Sequence, residues 1–173
     1  MTRLLRMGAL FFAFLLLAGL SGASCKQHPV SKPAGSVNDL ADVITPPYEK
    51  RIGNISKELE DKTGVALFVV TVPDFGGDGA KEYAERLYRD WNTGNKDADK
   101  GILILVSIRE RKLQVRMGAG LKAILSARQI GEIQDRFVAP LLKQNNYDDG
   151  LLNGVVAIAK IIAKESGATL KEP

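Results

Sequence analysis

The sequence has one cysteine, Cys25, and one histidine, His28. Both precede every stretch with a periodic apolar pattern. That scarcity removes whole classes of chemistry from the rest of the chain. A Ser-His-Asp triad, a Cys-His pair and a His/Cys zinc site cannot be assembled there. A single cysteine also excludes an internal disulfide. No GxxxxGK[ST] phosphate loop is present. Charge of one sign is equally scarce: the net charge is +4, and setting aside Arg3 and Arg6 leaves 22 basic against 20 acidic residues. With no basic run interleaved with aromatics, that balance excludes a nucleic-acid groove and predicts no nucleic-acid partner. The "GGDGAKE" stretch has glycines ahead of a helical pattern, but Asp74 and Asp78 beside them would repel phosphate. A flexible turn is the better reading.

The first long apolar run, residues 8–20, follows Arg3 and Arg6 and is too short to cross a membrane. "SGASC" then supplies small residues before Cys25. This is the layout of an export signal. It also resembles a bacterial lipoprotein signal, in which the cysteine is lipidated and becomes the new N-terminus. Gly22 stands where such signals usually carry leucine. Either form predicts an exported domain, periplasmic or in the cell envelope, and lipidation of Cys25 would tether it to a membrane. The expected division is an export signal over residues 1–24 and a polar tether over 25–36. A globular domain over 37–166 and a tail over 167–173 complete it.

Within the domain, Thr45 reads as a helix N-cap, with Pro46 in the first helical position. Tyr48, Ile52, Ile55 and Leu59 share one face, and Gly64 ends that helix. Residues 65–72 are continuously apolar, as expected of a strand buried on both faces. A helix carrying Tyr83, Ala84, Leu87, Tyr88 and Trp91 follows. Then comes "KDADKGILILV", a polar loop running into a second buried strand. "KLQVRM" alternates strictly and reads as the return arm of a hairpin at a sheet edge. Ser126 begins a helix with Ile130, Ile133, Phe137 and Leu141 inward, ending near Pro140. A strongly apolar helix from residue 147 closes the domain. The order predicts one right-handed crossover between two parallel strands, within an α/β fold. The architecture expected is a three-layer α/β/α sandwich with a small mixed β-sheet.

Carboxylates are the chemistry that remains. Oxygen-rich loops suit calcium or magnesium, and the candidates are Asp39 and Asp42, Asp97 and Asp99, and Asp148 and Asp149. "DADKG" opens like a calcium loop but lacks the later ligands. On spacing alone, the solvated turn is preferred. Topology adds a constraint. Asp97 and Asp99 precede the second strand, and the glycine turn 118–120 leaves the antiparallel third strand at the same edge. They should be neighbours, while Asp74 and Asp78 belong to the opposite edge.

Six segments in order resemble the TPM domain family of exported bacterial and plastid-lumen proteins. They are "VNDLADVIT", "DKTGVALFVVTV", "YAERLYRDWNTG", "DKGILILV", "VRMGAGL" and "NNYDDGLLNGVVAI". The resemblance implies an α/β/α sandwich and a divalent-cation site on acidic loops, usually for calcium. Carried onto this chain, the metal candidates are Asp39, Asp97 and Asp99. It implies two roles: assembly, repair or turnover of membrane proteins, which needs an envelope protein partner, or a metal-dependent acid phosphatase. No catalytic nucleophile is assignable. Asp39 and Asp99 could hold the metal, and Arg116 or Lys122 a phosphate. The sequence departs from the family at the glycine turn. Lys122 stands at the usual glutamate position, and Ala127 near an expected aspartate. Two like charges at about 4 Å repel by about 4 kcal/mol at an effective dielectric near 20, and a divalent ion feels roughly double that. Calcium binding should therefore be weak at best, and Lys122 could replace the ion by pairing with Asp99 or Asp97.

Overall fold

The computed structural model describes residues 32–93 and 99–171. The expected export signal, Cys25 and Asp97 lie outside the described residues. The fold is the expected α/β/α sandwich around a mixed four-stranded sheet in the order β1-β2-β3-β4. Its strands are β1 (Val37–Asp39), β2 (Ala66–Val72), β3 (Gly101–Ser107) and β4 (Lys112–Met117). The first three are parallel and β4 is antiparallel to β3. Helix α1 (Pro46–Thr63) joins β1 to β2, and α2 (Ala80–Asp90) joins β2 to β3. After β4 come a 3₁₀ turn (Ala119–Leu121), α3 (Ala127–Ile133), a π turn (Gln134–Val138), α4 (Ala139–Lys143) and α5 (Tyr147–Glu165). Among the described residues, no helix is long and apolar enough to cross a membrane.

Alternation along β2 and β3 builds two cores. Leu67, Val69, Ile102, Ile104 and Val106 face α1 and α5. Val70, Val72, Leu103 and Leu105 face Tyr83, Leu87 and Tyr88 of α2. Every residue of β3 is buried, as its apolar run requires. α1 ends as expected at Gly64, whose φ of 70° is the left-handed value a helix stop favours.

Strand β1 is an addition to the three strands read from sequence. Three residues that include Asn38 and Asp39 carry no alternating apolar pattern, so only pairing with Val69, Val70 and Thr71 identifies them. This strand creates a second crossover. The steps from β1 to β2 and from β2 to β3 run the same way across the sheet, yet α1 and α2 pack on opposite faces. The two crossovers therefore have opposite hands. One of the two thus departs from the usual right-handed rule.

The helix after Ser126 also differs from expectation. Ser126 and Gln129 form a reciprocal capping box, but the helix does not end near Pro140. The π turn inserts one extra residue, the Ala139 amide reaching back to the Gln134 carbonyl, and helix continues to Lys143. Pro140 sits in the first turn of α4, where its missing N–H costs little. The insertion rotates the inward stripe by one position. Phe137, expected in the core, is 43% exposed, and Val138 takes its place at 3%.

Chain on either side of the sandwich is tied to it. The Asn38 side chain accepts from the Ala34 amide at 2.9 Å and donates to the Gly35 carbonyl at 2.7 Å. After α5, the Lys171 amide donates to Glu58 of α1 at 2.8 Å.

Candidate functional site

Asp99 sits where β3 begins, in the left-handed backbone region at φ 43°. The glycine turn after β4 closes onto it, as the topology predicts. The Ala119 amide donates to Asp99 Oδ2 at 2.6 Å, and the Gly120 amide donates to the Asp99 carbonyl at 3.2 Å. The fit explains Gly118: a Cβ there would stand 1.8 Å from the Asp99 carbonyl oxygen and 2.6 Å from the Tyr88 hydroxyl. From α2, the Tyr88 hydroxyl donates to Asp99 Oδ1 at 2.6 Å. Arg116 of β4 lies over the Tyr88 ring, 4.4 Å from its centroid, and pairs with Glu85 at 2.7 Å. Acid, phenol and guanidinium therefore form one network joining α2, β3 and β4.

The electrostatics follow from that geometry. Burial alone would raise the Asp99 carboxyl. The Tyr88 and Ala119 bonds, with the Arg116 and Lys122 charges, outweigh it and hold the group below the ordinary aspartate value. Burial first, and the Asp99 bond second, push the Tyr88 hydroxyl far above its usual range. Lys122 is exposed beyond the turn and acts on Asp99 through space. It makes no ion pair within 4 Å among the described residues.

Asp39 is elsewhere. It pairs with Thr71 at the far end of β2, whereas Asp99 precedes Gly101, the partner of Ala66. Five residues of strand separate those positions, about 16 Å at a rise near 3.3 Å per residue. Asp39 and Asp99 cannot share one ion, which corrects the joint site expected from sequence. Asp39 caps the loop after β1 instead, accepting from the Val43 and Ile44 amides at 2.8 and 2.7 Å and from the Thr71 hydroxyl. Asp148 and Asp149 tie α5 to α1. Asp148 accepts from the Thr45 amide and hydroxyl, each at 2.8 Å, and Asp149 from the Tyr48 hydroxyl at 2.7 Å. At the same edge, Asp74 pairs with Arg109 at 3.0 Å and Asp78 with Arg86.

Calcium takes six to eight oxygen ligands. At the Asp99 edge, the described residues offer one carboxylate, and both of its oxygens already accept from protein donors. No group of three acidic, histidine or cysteine side chains converges among the described residues. Among the described residues, that donor set falls short of the six to eight oxygens calcium takes. Sequence reasoning placed Tyr88 only in the core stripe and missed Glu85. A tyrosine on a buried stripe was the available signal, since its hydroxyl needs a partner.

These features define a class: a three-layer α/β/α domain whose glycine turn closes on an acidic loop at the head of the central strand. The TPM domain family model matches residues 37–161, and the chain belongs to that family. It is similar to Inner membrane protein YcfZ of Escherichia coli (strain K12), with 21% identity over 159 residues. The match covers 91% of this chain and 59% of that protein, so the chain spans about three fifths of its relative. Two NMR structures share the fold. The N-terminal domain of a P. gingivalis protein has a TM-score of 0.72 at 23% identity, covering 79% of this chain and 87% of that one. The BA42 protein of Bizionia argentinensis has a TM-score of 0.65 at 17% identity, covering 78% and 91%.

Proposed function

We propose that the chain is a non-catalytic binding domain of the cell envelope, anchored through lipid on Cys25, that assists the assembly, repair or turnover of membrane proteins. The observation that carries this reading is the state of Asp99. Its carboxylate serves Tyr88 and Ala119, and the positive charge of Lys122 acts on it through space. Metal-assisted phosphate hydrolysis requires an ion that activates water or polarises the phosphate, and the described residues of this edge gather no group of three acidic, histidine or cysteine side chains to hold one, which supports the non-catalytic reading. Membership of the TPM family and the likeness to an inner membrane protein support the envelope setting.

Two experiments test it. Cys25→Ser should abolish incorporation of radiolabelled palmitate and move the chain from the membrane to the soluble fraction. Unchanged fractionation would remove the anchor from the proposal. Hydrolysis of p-nitrophenyl phosphate should stay at background with calcium, magnesium or chelator. Metal-dependent turnover that disappears in Asp99→Asn would establish the phosphatase alternative instead.

A further inference from the structure

The opposite end of the sheet holds a cleft of about 300 Å³, beside the end of β3 and the start of β4. Val106, Leu113 and Leu142 line it with aliphatic surface, and Arg111, Lys112 and Lys143 bring three cations to it. Asp135 is the one carboxylate in the lining. None of the three cations makes an ion pair within 4 Å among the described residues. Their neighbours in the hairpin loop are already engaged: Arg109 pairs with Asp74, and Glu110 accepts from the Ser107 hydroxyl. The loop thus uses its other charges internally and leaves Arg111 to the cleft.

Two backbone irregularities meet at this place. Asp42, Asn92, Asp99, Arg111 and Asn145 are the described non-glycine residues with positive φ. Aspartate and asparagine tolerate that region, but arginine does not favour it, and Arg111 holds φ 50°. The π turn supplies Gln134 and Asp135 to the lining. Single π turns inside helices occur frequently at functional sites.

We infer that this cleft binds the C-terminal end of a peptide, its terminal carboxylate on Arg111, Lys112 and Lys143 and an aliphatic last side chain against Val106, Leu113 and Leu142. Charge complementarity selects the anion, and the apolar floor selects what carries it. Size selects the peptide end: at about 30 Å³ per water, the cleft holds about ten non-hydrogen atoms. That suits one leucine-sized residue with its carboxylate and is too small for the acyl chain of a membrane lipid. Pairing of a peptide along the free edge of β4 is disfavoured. The Gly118 amide bonds the Gly101 carbonyl, so the alternating antiparallel pattern turns the Val115 and Met117 carbonyls outward. The Gln114 and Arg116 side chains already donate to those two groups.

The inference deepens the binding-domain reading and rests on it for its biological setting. Its test reads the cleft alone. The full-length chain in detergent is titrated into a fluorescein-labelled peptide of three alanines and a C-terminal leucine, followed by anisotropy. Saturable binding is expected, at least tenfold weaker for the C-terminal amide. Arg111→Gly and Lys143→Glu should each weaken it at least fivefold, while Lys160→Glu, remote from the cleft, should not. No saturable binding at millimolar concentration, equal binding of the amide, or indifference to both cleft variants would overturn the inference. Competition by 4-methylpentanoate as tight as by unlabelled peptide would overturn the peptide end as the occupant. Phosphatase turnover in the earlier assay would defeat the non-catalytic reading without altering this titration.

Discussion

The two ends of the sheet treat charge in opposite ways. Where β3 begins, Asp99 has both oxygens taken by protein donors, and Arg116 is held by Glu85 and the Tyr88 ring. Where β3 ends, Arg111, Lys112 and Lys143 surround a cleft without ion-pair partners among the described residues. The first arrangement is satisfied by the chain itself. The second is left unpaired by the described residues. A cluster of charged residues thus says little about binding until its partners are counted. Among the described residues, the acidic edge that attracts attention in the sequence is internally paired, and the basic edge that does not is unpaired.

The largest effect should come from prising the closed edge apart. Gly118→Ala drives a methyl into the Asp99 carbonyl and the Tyr88 hydroxyl. A loss of about 3 kcal/mol is expected in urea denaturation, at the upper end for overpacking. A loss below about 0.5 kcal/mol would show that the turn yields easily. Next is Tyr88→Phe, which removes one donor from Asp99 and should cost about 2 kcal/mol, the range for a bond to a charged group. The acid limb of the stability profile offers a third measure. Asp99 has a lowered folded-state pKa, so its contribution is present above the ordinary carboxylate value near 3.9. That contribution is lost as pH falls through the folded value. Asp99→Asn should therefore flatten the decline below about pH 4, and an unchanged slope would contradict the network. The smallest effect belongs to the open edge. Arg111→Gly relieves the left-handed strain and should gain about 0.5 kcal/mol, net of glycine's backbone entropy. Strain retained for binding predicts that gain together with the weaker peptide affinity.

Much of this was legible from sequence, and the failures have physical causes. The meeting of Asp99 with the glycine turn followed from strand direction alone, because β3 and β4 form a hairpin and so share an edge. Asp39 was misplaced because β1 has too few apolar residues to be recognised, and without that strand Asp39 has no defined edge. Phe137 was assigned inward on an unbroken helical period, which the π turn breaks without any residue announcing it. The Arg111 conformation was equally silent, since nothing in "RERK" marks a left-handed position.

Asp99 spends both carboxylate oxygens on protein donors, which leaves it a poor calcium ligand. Calorimetric titration of calcium into the full-length chain tests it most directly. No saturable heat is expected below millimolar calcium; micromolar binding would show that this edge holds the ion after all.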